Sequence, residues 1–316
     1  MGSAAALGIA ALLAYWILRH RPGRPLTSSE TIELKRGKQF ATINGLQVHF
    51  EIHGSNPSST VILLHGVGAS TYTWRSAMEA LSARHTVMAI DLPGFGLSDR
   101  RRDFSYTMDA YADMVILFLN AMNIERAHLV GHSLGGGVAL RATLKAADRV
   151  RSLTLIESLG YAFQPPAILR LAARWWPILR PFSGEFSTRL LLRDAVSNTR
   201  ILTPERVRNY ALPMRIPGEF GLARAIQADS QEEVRKFENR IREVRAPTLI
   251  IWGEEDGWAP PRFARQFHAD IPASELFLVR NAGHLVHEEY PEPVNGRLAS
   301  FLDRVTESVP PVSRPG

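Results

Sequence analysis

The feature that most restricts how this chain can fold is the stretch LVGHSLGGGVAL, residues 129–140, in which four glycines surround one serine, Ser133. Short apolar residues precede it, as in a strand, and residues typical of a helix follow it. In a tight strand-to-helix turn, side chains at Gly131 and Gly135 would collide with neighbouring backbone, so glycine is needed there. The turn lifts the serine hydroxyl clear of the sheet, towards a helix N-terminus that stabilises negative charge.

A serine hydroxyl is a weak nucleophile, so it needs a base and an acid that orients the base. Two later strands are followed by such residues: TLIIWG leads to Asp256, and LFLV leads to His284. The order along the chain is serine, acid, histidine. We predict that all three lie on loops at the carboxyl ends of their strands.

Short apolar runs that fit buried strands alternate with helical segments along most of the chain. The runs follow a hairpin around Asn44-Gly45 and lie at 61–64, 86–90, 127–130, 153–156, 248–252 and 276–279. This alternation predicts an α/β fold with a mostly parallel sheet covered by helices on both faces. Residues 160–245 have several prolines and no clear buried strand, which predicts a helical insertion over the carboxyl edge of the sheet.

The composition limits the class of protein. A chain of 316 residues with 45% hydrophobic residues can bury one large core and an inserted subdomain. The absence of cysteine excludes disulfides and thiolate metal sites. The net charge of +6 comes with no nucleic-acid motif, so we expect no nucleic-acid partner and a weak attraction to anionic membranes.

The N-terminus begins with an uncharged segment, AAALGIAALLAYWIL at 4–18, followed by the basic sequence RHRPGR. A membrane-spanning helix needs about 17–25 residues, so the segment is only just long enough. It lacks the leading positive charge and the cleavage site of a signal peptide. We interpret it as a single-pass anchor that leaves the catalytic part in the cytoplasm. A helix lying on the membrane surface and a cleaved segment are the alternatives.

Five motifs in order resemble those of the α/β-hydrolase superfamily, and the resemblance covers about residues 39–305. HGVGAS at 65–70 resembles the oxyanion loop, and DLPGFGLSD at 91–99 resembles the turn after the fourth strand. GHSLGG resembles the nucleophile elbow, GEEDGWAP the acid loop, and NAGHLVHEEYPE the histidine loop. The resemblance implies an α/β-hydrolase fold with a helical cap inserted after the sixth strand. Within the superfamily, the chain most resembles serine esterases and lipases of the monoacylglycerol-lipase type.

The same resemblance assigns roles to individual residues. Ser133 is the nucleophile, His284 the base, and Asp256 the acid that holds the imidazole. The backbone N–H groups of Leu134 and Val67 form the oxyanion hole, which stabilises the charge that develops on a carbonyl oxygen.

Other residues compete for these roles. Glu157, at the end of LTLIES, is a second candidate for the acid, although Asp256 has the commoner position in the family. His287 is a second candidate for the base, although His284 follows a glycine as in the family. The histidines of this loop lack the spacing of a zinc motif, so we predict no metal.

Tryptophans are the candidate pocket residues. Trp258 is either a pocket wall or part of the core. Trp175 and Trp176 lie in PPAILRLAARWWPILRPF, whose arginines Arg170 and Arg174 are four residues apart. This pattern predicts a lipid-facing lid, and the alternative is a cap helix whose apolar face packs on the core.

A serine nucleophile, rather than an aspartate, predicts transfer of an acyl group to water without a cofactor. The leading prediction is hydrolysis of carboxylic esters, including acylglycerols, at the membrane. The alternatives are carbon–carbon hydrolysis of diketones of the meta-cleavage type and a membrane-tethered protein without enzymatic activity. Acyl length, leaving group and oligomeric state are left open.

The chain is thus divided into six predicted parts. They are an anchor with its basic flank at 1–25, a linker at 26–38, a first core part at 39–158, a cap at 159–245, a second core part at 246–306 and a tail at 307–316.

Overall fold

The structure is a computed structural model that describes residues 24–56, 58–162, 170–171, 174–175, 184–218 and 231–308. The hydrophobic N-terminal segment, most of the predicted tail and Trp176 lie outside these residues.

An eight-stranded sheet forms the centre of the fold. Its strands are β1 (Gln39–Ile43), β2 (Leu46–His53), β3 (Thr60–Leu64), β4 (Thr86–Ile90), β5 (Ala127–His132), β6 (Val150–Ile156), β7 (Thr248–Gly253) and β8 (Ser274–Val279). The order across the sheet is β1-β2-β4-β3-β5-β6-β7-β8. Both pairings of β2 are antiparallel and the remaining neighbours are parallel.

Helices cover the sheet and form most of the described insertion. They are α1 (Ser28–Lys35), α2 (Arg75–Leu81), α3 (Met108–Ala121), α4 (Leu134–Lys145), α5 (Glu185–Ala195), α6 (Pro204–Met214), α7 (Gln231–Glu238), α8 (Arg262–Asp270), α9 (Val286–Glu289) and α10 (Pro291–Ser308). Short 3₁₀ turns lie at Thr71–Trp74, Ala147–Arg149, Thr199–Ile201 and Ile241–Glu243.

Two apolar layers hold the helices on the sheet. One contains side chains of α3, α4 and α8, such as Phe118, Val138 and Phe267, and the other contains side chains of α2 and α10, such as Met78 and Phe301. Strands β3, β4, β5 and β7 are buried along their whole length, because helices cover both faces. The predicted α/β-hydrolase architecture is therefore confirmed.

The insertion between β6 and β7 contains α5, α6 and α7. These helices are the described part of the predicted cap. The backbone preceding α1 also contacts it, since Leu26 N donates to Arg215 O at 2.9 Å, directly after α6. Leu26 packs with Leu97 and Ile216 in a small apolar cluster.

The predicted linker at 26–38 contains α1. This helix has no buried residue, so it lacks the apolar periodicity that identifies most helices. It begins instead with a capping box in which Thr27 and Glu30 satisfy each other's backbone N–H groups.

The prediction of a single-pass membrane anchor is corrected. Within the described parts of the chain, no helix is long and apolar enough to cross a membrane. Residues 1–23, on which that prediction fell, lie outside them.

Candidate active site

Ser133 lies between β5 and α4, on the turn that the glycines predicted. Its backbone has φ +51° and ψ −114°, a left-handed conformation that is unusual for a residue with a side chain. A Cβ at Gly131 would lie 2.2 Å from Gly135 O, and one at Gly135 would lie 2.2 Å from Leu64 O. Both glycines are therefore required by close approaches of backbone to backbone.

The three predicted side chains lie in one hydrogen-bonded series. His284 Nε2 is 3.0 Å from Ser133 Oγ, and His284 Nδ1 is 2.8 Å from Asp256 Oδ2. The other carboxylate oxygen, Oδ1, accepts the backbone N–H groups of Trp258 and Ala259, each at 2.8 Å. With its Nδ1 proton donated to the carboxylate, the imidazole leaves Nε2 free to accept the serine proton.

The predicted oxyanion loop runs directly against the serine. A Cβ at Gly66 would lie 3.1 Å from Ser133 Cβ and 2.7 Å from His132 Nδ1, so only a glycine fits. Val67 follows Gly66 in this loop. Leu134 begins α4, where backbone N–H groups have no partner within the helix. Their joint role as an oxyanion hole remains a prediction.

Trp258 borders the site. Its ring centroid is 5.3 Å from that of His284, and its indole N–H donates to Asp194 Oδ2 of α5 at 2.8 Å. Trp175 is 48% exposed, and Trp176 lies outside the described residues. The assignment of these tryptophans to a substrate pocket remains a prediction.

The end of α5 is hydrogen-bonded to the histidine loop. His284 N donates to Ala195 O at 2.7 Å. Glu289 Oε2 accepts the backbone N–H groups of residues 197–198 at 2.9 and 2.7 Å, and its Oε1 accepts that of Gly283 at 2.8 Å. The insertion thus fixes the backbone of the histidine that contacts Ser133.

Glu288 makes a second link between the insertion and the core. Its carboxylate is an ion pair with Arg75 at 2.8 Å and with Arg206 of α6 at 3.5 Å. It also accepts the hydroxyl hydrogens of Thr73 and Tyr210. Burial alone would raise the pKa of Glu288, but the charge of Arg75 and these hydrogen bonds lower it. The carboxylate therefore stays ionised inside the protein.

His287, the alternative base, is paired with a threonine and not with the serine. Its Nε2 is 2.9 Å from Thr73 Oγ1. Burial lowers the pKa of His287 to about 4, so the imidazole is neutral near pH 7. Of the two histidines of this loop, His284 is the one hydrogen-bonded to Ser133.

Among the residues that the structure describes, two groups of three side chains have a spacing that could hold a metal ion. They are His132, Glu157 and His287, and Glu157, Asp256 and His284, with one ligand atom of each residue within 4.8 Å of the others. The second group includes two members of the serine series, whose atoms already pair with each other. In the first group, His132 Nε2 donates to His284 O at 2.7 Å, so it supports the histidine loop.

The sequence did not reveal the roles of His132, Ala195 and Glu289. All three form hydrogen bonds with the backbone of the histidine loop. His132 is the variable residue of the Gly-x-Ser-x-Gly pattern, and that pattern alone gives it no role. Glu289 had one usable signal, because it belongs to a pair of adjacent acidic residues that follows shortly after His284.

The fold and the site together define a hydrolase of the α/β-hydrolase class. The chain belongs to this family, because residues 59–291 match the family described as alpha/beta hydrolase fold. It is 32% identical over 270 residues to the uncharacterized hydrolase YugF of Bacillus subtilis (strain 168), covering 83% of this chain and 96% of that protein.

Relatives with a named reaction are also similar. The 2-hydroxymuconate semialdehyde hydrolase of Pseudomonas sp. (strain CF600) is 28% identical over 263 residues, which cover 81% of this chain and 90% of that protein. The structure of a meta-cleavage product hydrolase from Pseudomonas fluorescens IP01 matches with a TM-score of 0.72 and 26% identity, covering 84% of this chain and 97% of that one. The predicted family is confirmed, and the chain is a hydrolase of this fold.

Proposed function

We propose that this protein hydrolyses carboxylic esters through an acyl-enzyme on Ser133. The observation that supports this is the series from Ser133 through His284 to Asp256, with hydrogen-bond lengths of 3.0 and 2.8 Å. This arrangement supplies a nucleophile, a base and an orienting acid in contact, as acyl transfer requires.

In the proposed reaction, Ser133 Oγ attacks the ester carbonyl carbon while His284 Nε2 takes its proton. Negative charge then develops on the carbonyl oxygen, where the N–H groups of Leu134 and Val67 stabilise it. His284 gives the proton to the departing alcohol oxygen, and the carbon–oxygen bond breaks. Water then attacks the carbonyl carbon of the acyl-enzyme while His284 takes its proton. The bond to Ser133 Oγ breaks, the proton passes to the serine, and the carboxylic acid is released. Asp256 stabilises the imidazolium that forms in each half.

The apolar residues beside the histidine loop are the basis on which we propose an apolar substrate. One buried cluster contains Ala69 of the oxyanion loop, Leu285 next to His284, and Leu192 of α5, with Trp258 packed against it. Apolar side chains at these positions favour an aliphatic acyl chain over an acetyl group, because a longer chain removes more apolar surface from water. Medium-chain esters and monoacylglycerols are therefore the proposed substrates.

Carbon–carbon hydrolysis of a vinylogous diketone is the second candidate. It is favoured by the similarity to the 2-hydroxymuconate semialdehyde hydrolase and to the meta-cleavage product hydrolase. The two reactions differ in the bond that breaks, so a direct comparison of substrates separates them.

The test combines a substrate panel with labelling by a fluorophosphonate probe. Wild-type protein should hydrolyse p-nitrophenyl esters, with octanoate preferred over acetate, and should be labelled. Ser133→Ala should fold, resist labelling and lose at least about 10³-fold in kcat. Ser158→Ala is the matched control, since this nearby buried hydroxyl donates only to Leu159 O among the bonds described. Labelling of Ser133→Ala would contradict the proposal, and turnover of the diketone with negligible ester hydrolysis would establish the second candidate.

A further inference from the structure

Glu157 is a buried carboxyl group that the proposed mechanism does not use. It directly follows β6 and is 0% exposed. Its backbone has φ +48°, a left-handed conformation that is strained for a residue with a long side chain. Strain of this kind persists where the surroundings fix the residue, and it concentrates at functional sites.

The contacts of Glu157 place its carboxyl group between two loops of the site. Oε1 accepts the N–H of Gly253 at 3.2 Å, where the acid loop begins, and Oε2 accepts the N–H of Val286 at 3.3 Å, after the histidine loop. Both hydrogen bonds are long. A carboxylate has about four acceptor positions, so Glu157 can keep these contacts and accept a further hydrogen.

The same carboxyl group lies close to the acid and base of the proposed mechanism. One oxygen of Glu157, one oxygen of Asp256 and one ring nitrogen of His284 are all within 4.8 Å of one another. A hydrogen bond needs about 2.7–3.2 Å, so an adjustment of at most about 2 Å would bring Glu157 into contact with the imidazole. The carboxylate of Asp256 holds Nδ1 in the intact protein.

Burial, together with the charge of Asp256, determines the state of Glu157. Burial raises the pKa of Glu157 well above its ordinary value, and the neighbouring charge of Asp256 raises it further. Two carboxyl groups this close do not both ionise readily, so Glu157 stays protonated while Asp256 carries the charge. Removing that charge makes ionisation of Glu157 easier. The other titratable groups that face it are His132, His284, His287 and Glu289.

We propose that Glu157 is a second orienting acid, which accepts the Nδ1 hydrogen of His284 when the carboxylate of Asp256 is absent. It releases its own proton to solvent and then stabilises the imidazolium as Asp256 does. Glu157 acts on the reaction only through His284 and is therefore a positioning residue. The inference rests on the proposed function, because it requires His284 to act as the base.

The test compares substitutions of Asp256 with and without the carboxyl group of Glu157. Asp256→Ala leaves Nδ1 open, so activity should fall only about 10–10²-fold. Asp256→Asn places an amide N–H₂ against Nδ1 and favours the wrong tautomer, which costs about 10⁴-fold in a comparable triad. The less conservative alanine variant should therefore be the more active one, and Asp256→Ala with Glu157→Gln should lose at least a further 10²-fold.

A matched control removes a carboxyl group that cannot reach the imidazole. Glu255 is exposed and one residue from Asp256, so Asp256→Ala with Glu255→Gln should match Asp256→Ala. In Asp256→Ala, the rise of kcat/KM with pH should contain a second limb as Glu157 ionises, beyond the limb common to enzymes with a histidine base, and the second limb should be absent when Glu157→Gln is added. A purely structural role for Glu157 would not produce that limb.

Two results separate failure of this inference from failure of the proposed function. Equal activity of Asp256→Ala with and without Glu157→Gln, in an active wild type, would overturn the inference alone. A wild type that is neither labelled nor active would overturn the proposed function. Asp256→Ala also removes the acceptor for the N–H groups of residues 258–259. If that variant does not fold, Asp256→Ser is used in the same comparison, because its hydroxyl can accept from the backbone two residues on.

Discussion

The site depends on the lack of a side chain at Gly66. A Cβ there would lie 2.7 Å from His132 Nδ1 and 3.1 Å from Ser133 Cβ. The oxyanion loop can therefore approach the serine only because this residue is glycine. Val67, which is predicted to donate to the oxyanion hole, is the next residue of this loop.

We expect Gly66→Ala to lower kcat by about 10²–10³-fold, the usual cost of displacing one oxyanion-hole donor. Thermal unfolding should show that the protein still folds. Gly257→Ala is the matched control, because no atom lies within 4 Å of the added Cβ and the residue is in the neighbouring acid loop. Full activity of Gly66→Ala would show that the oxyanion loop does not act through its backbone at this point.

The sequence alone predicted the residues whose roles depend on local pattern. Ser133 is identified by its flanking glycines, and Asp256 and His284 by their loops after buried strands. The supports of these residues depend on contacts between distant parts of the chain. His132 reaches the backbone of His284, 152 residues further on, and no local pattern encodes that pairing.

Among the elements, α5 is the one that connects the insertion to the site. Asp194, in its last turn, accepts the indole N–H of Trp258, and Ala195 accepts the backbone N–H of His284. Glu289 then binds the N–H groups of residues 197–198, directly after the helix. The insertion therefore acts at this end as a fixed support of the histidine loop.

We expect Glu289→Gln to lower kcat about 10-fold with a smaller change in KM, and to lower Tm. The carboxylate accepts three backbone N–H groups, whereas an amide would turn its N–H₂ towards at least one of these donors. Steady-state kinetics and thermal unfolding measure the two effects. Glu292→Gln, an exposed acid in the first turn of α10, should change neither. A change in Tm with unaltered kcat would limit Glu289 to a structural role.

The sequence predicted the strands whose burial produces an apolar pattern, and it did not predict a helix that has no buried residue. The apolar runs of β3, β4 and β7 are buried on both faces, and their predicted positions agree with the structure to within one residue. Helix α1 has no buried residue, so the apolar pattern gave no signal for it. The capping box of Thr27 and Glu30 was the only local indication of its start.

On the scale of the whole molecule, buried neutral histidines make folding sensitive to acid. Burial lowers the pKa of His128 to about 3 and that of His287 to about 4. The unfolded chain binds protons at these histidines below about pH 6.5, where the folded protein does not. Their contribution to stability is therefore present above about pH 6.5 and is lost as the pH falls towards their folded pKa values. The raised pKa of Glu157 has the opposite effect on stability, because it favours the folded protein as the pH falls.

We expect the free energy of unfolding to fall between pH 6.5 and 4, by at most about 1.4 kcal/mol per pH unit for each such histidine. Denaturant unfolding at several pH values measures this slope. His128→Gln should make the slope shallower, although it also disturbs the contacts with Ser152 and Thr306. His53→Gln, at an exposed position, should leave the slope unchanged. Equal slopes in all three proteins would contradict the assignment to His128.

The bond from His284 N to Ala195 O has a consequence for recombination within this family. A chimera that exchanges residues 159–245 for the corresponding segment of a relative would also exchange the carbonyl that anchors the histidine. Its failure could then be mistaken for a mismatch of substrate specificity. A graft that keeps native residues 194–198, and exchanges one piece before them and one piece after them, would keep the native anchor. We therefore expect an exchange in two pieces on either side of residues 194–198 to preserve the histidine loop better than an exchange of the whole segment.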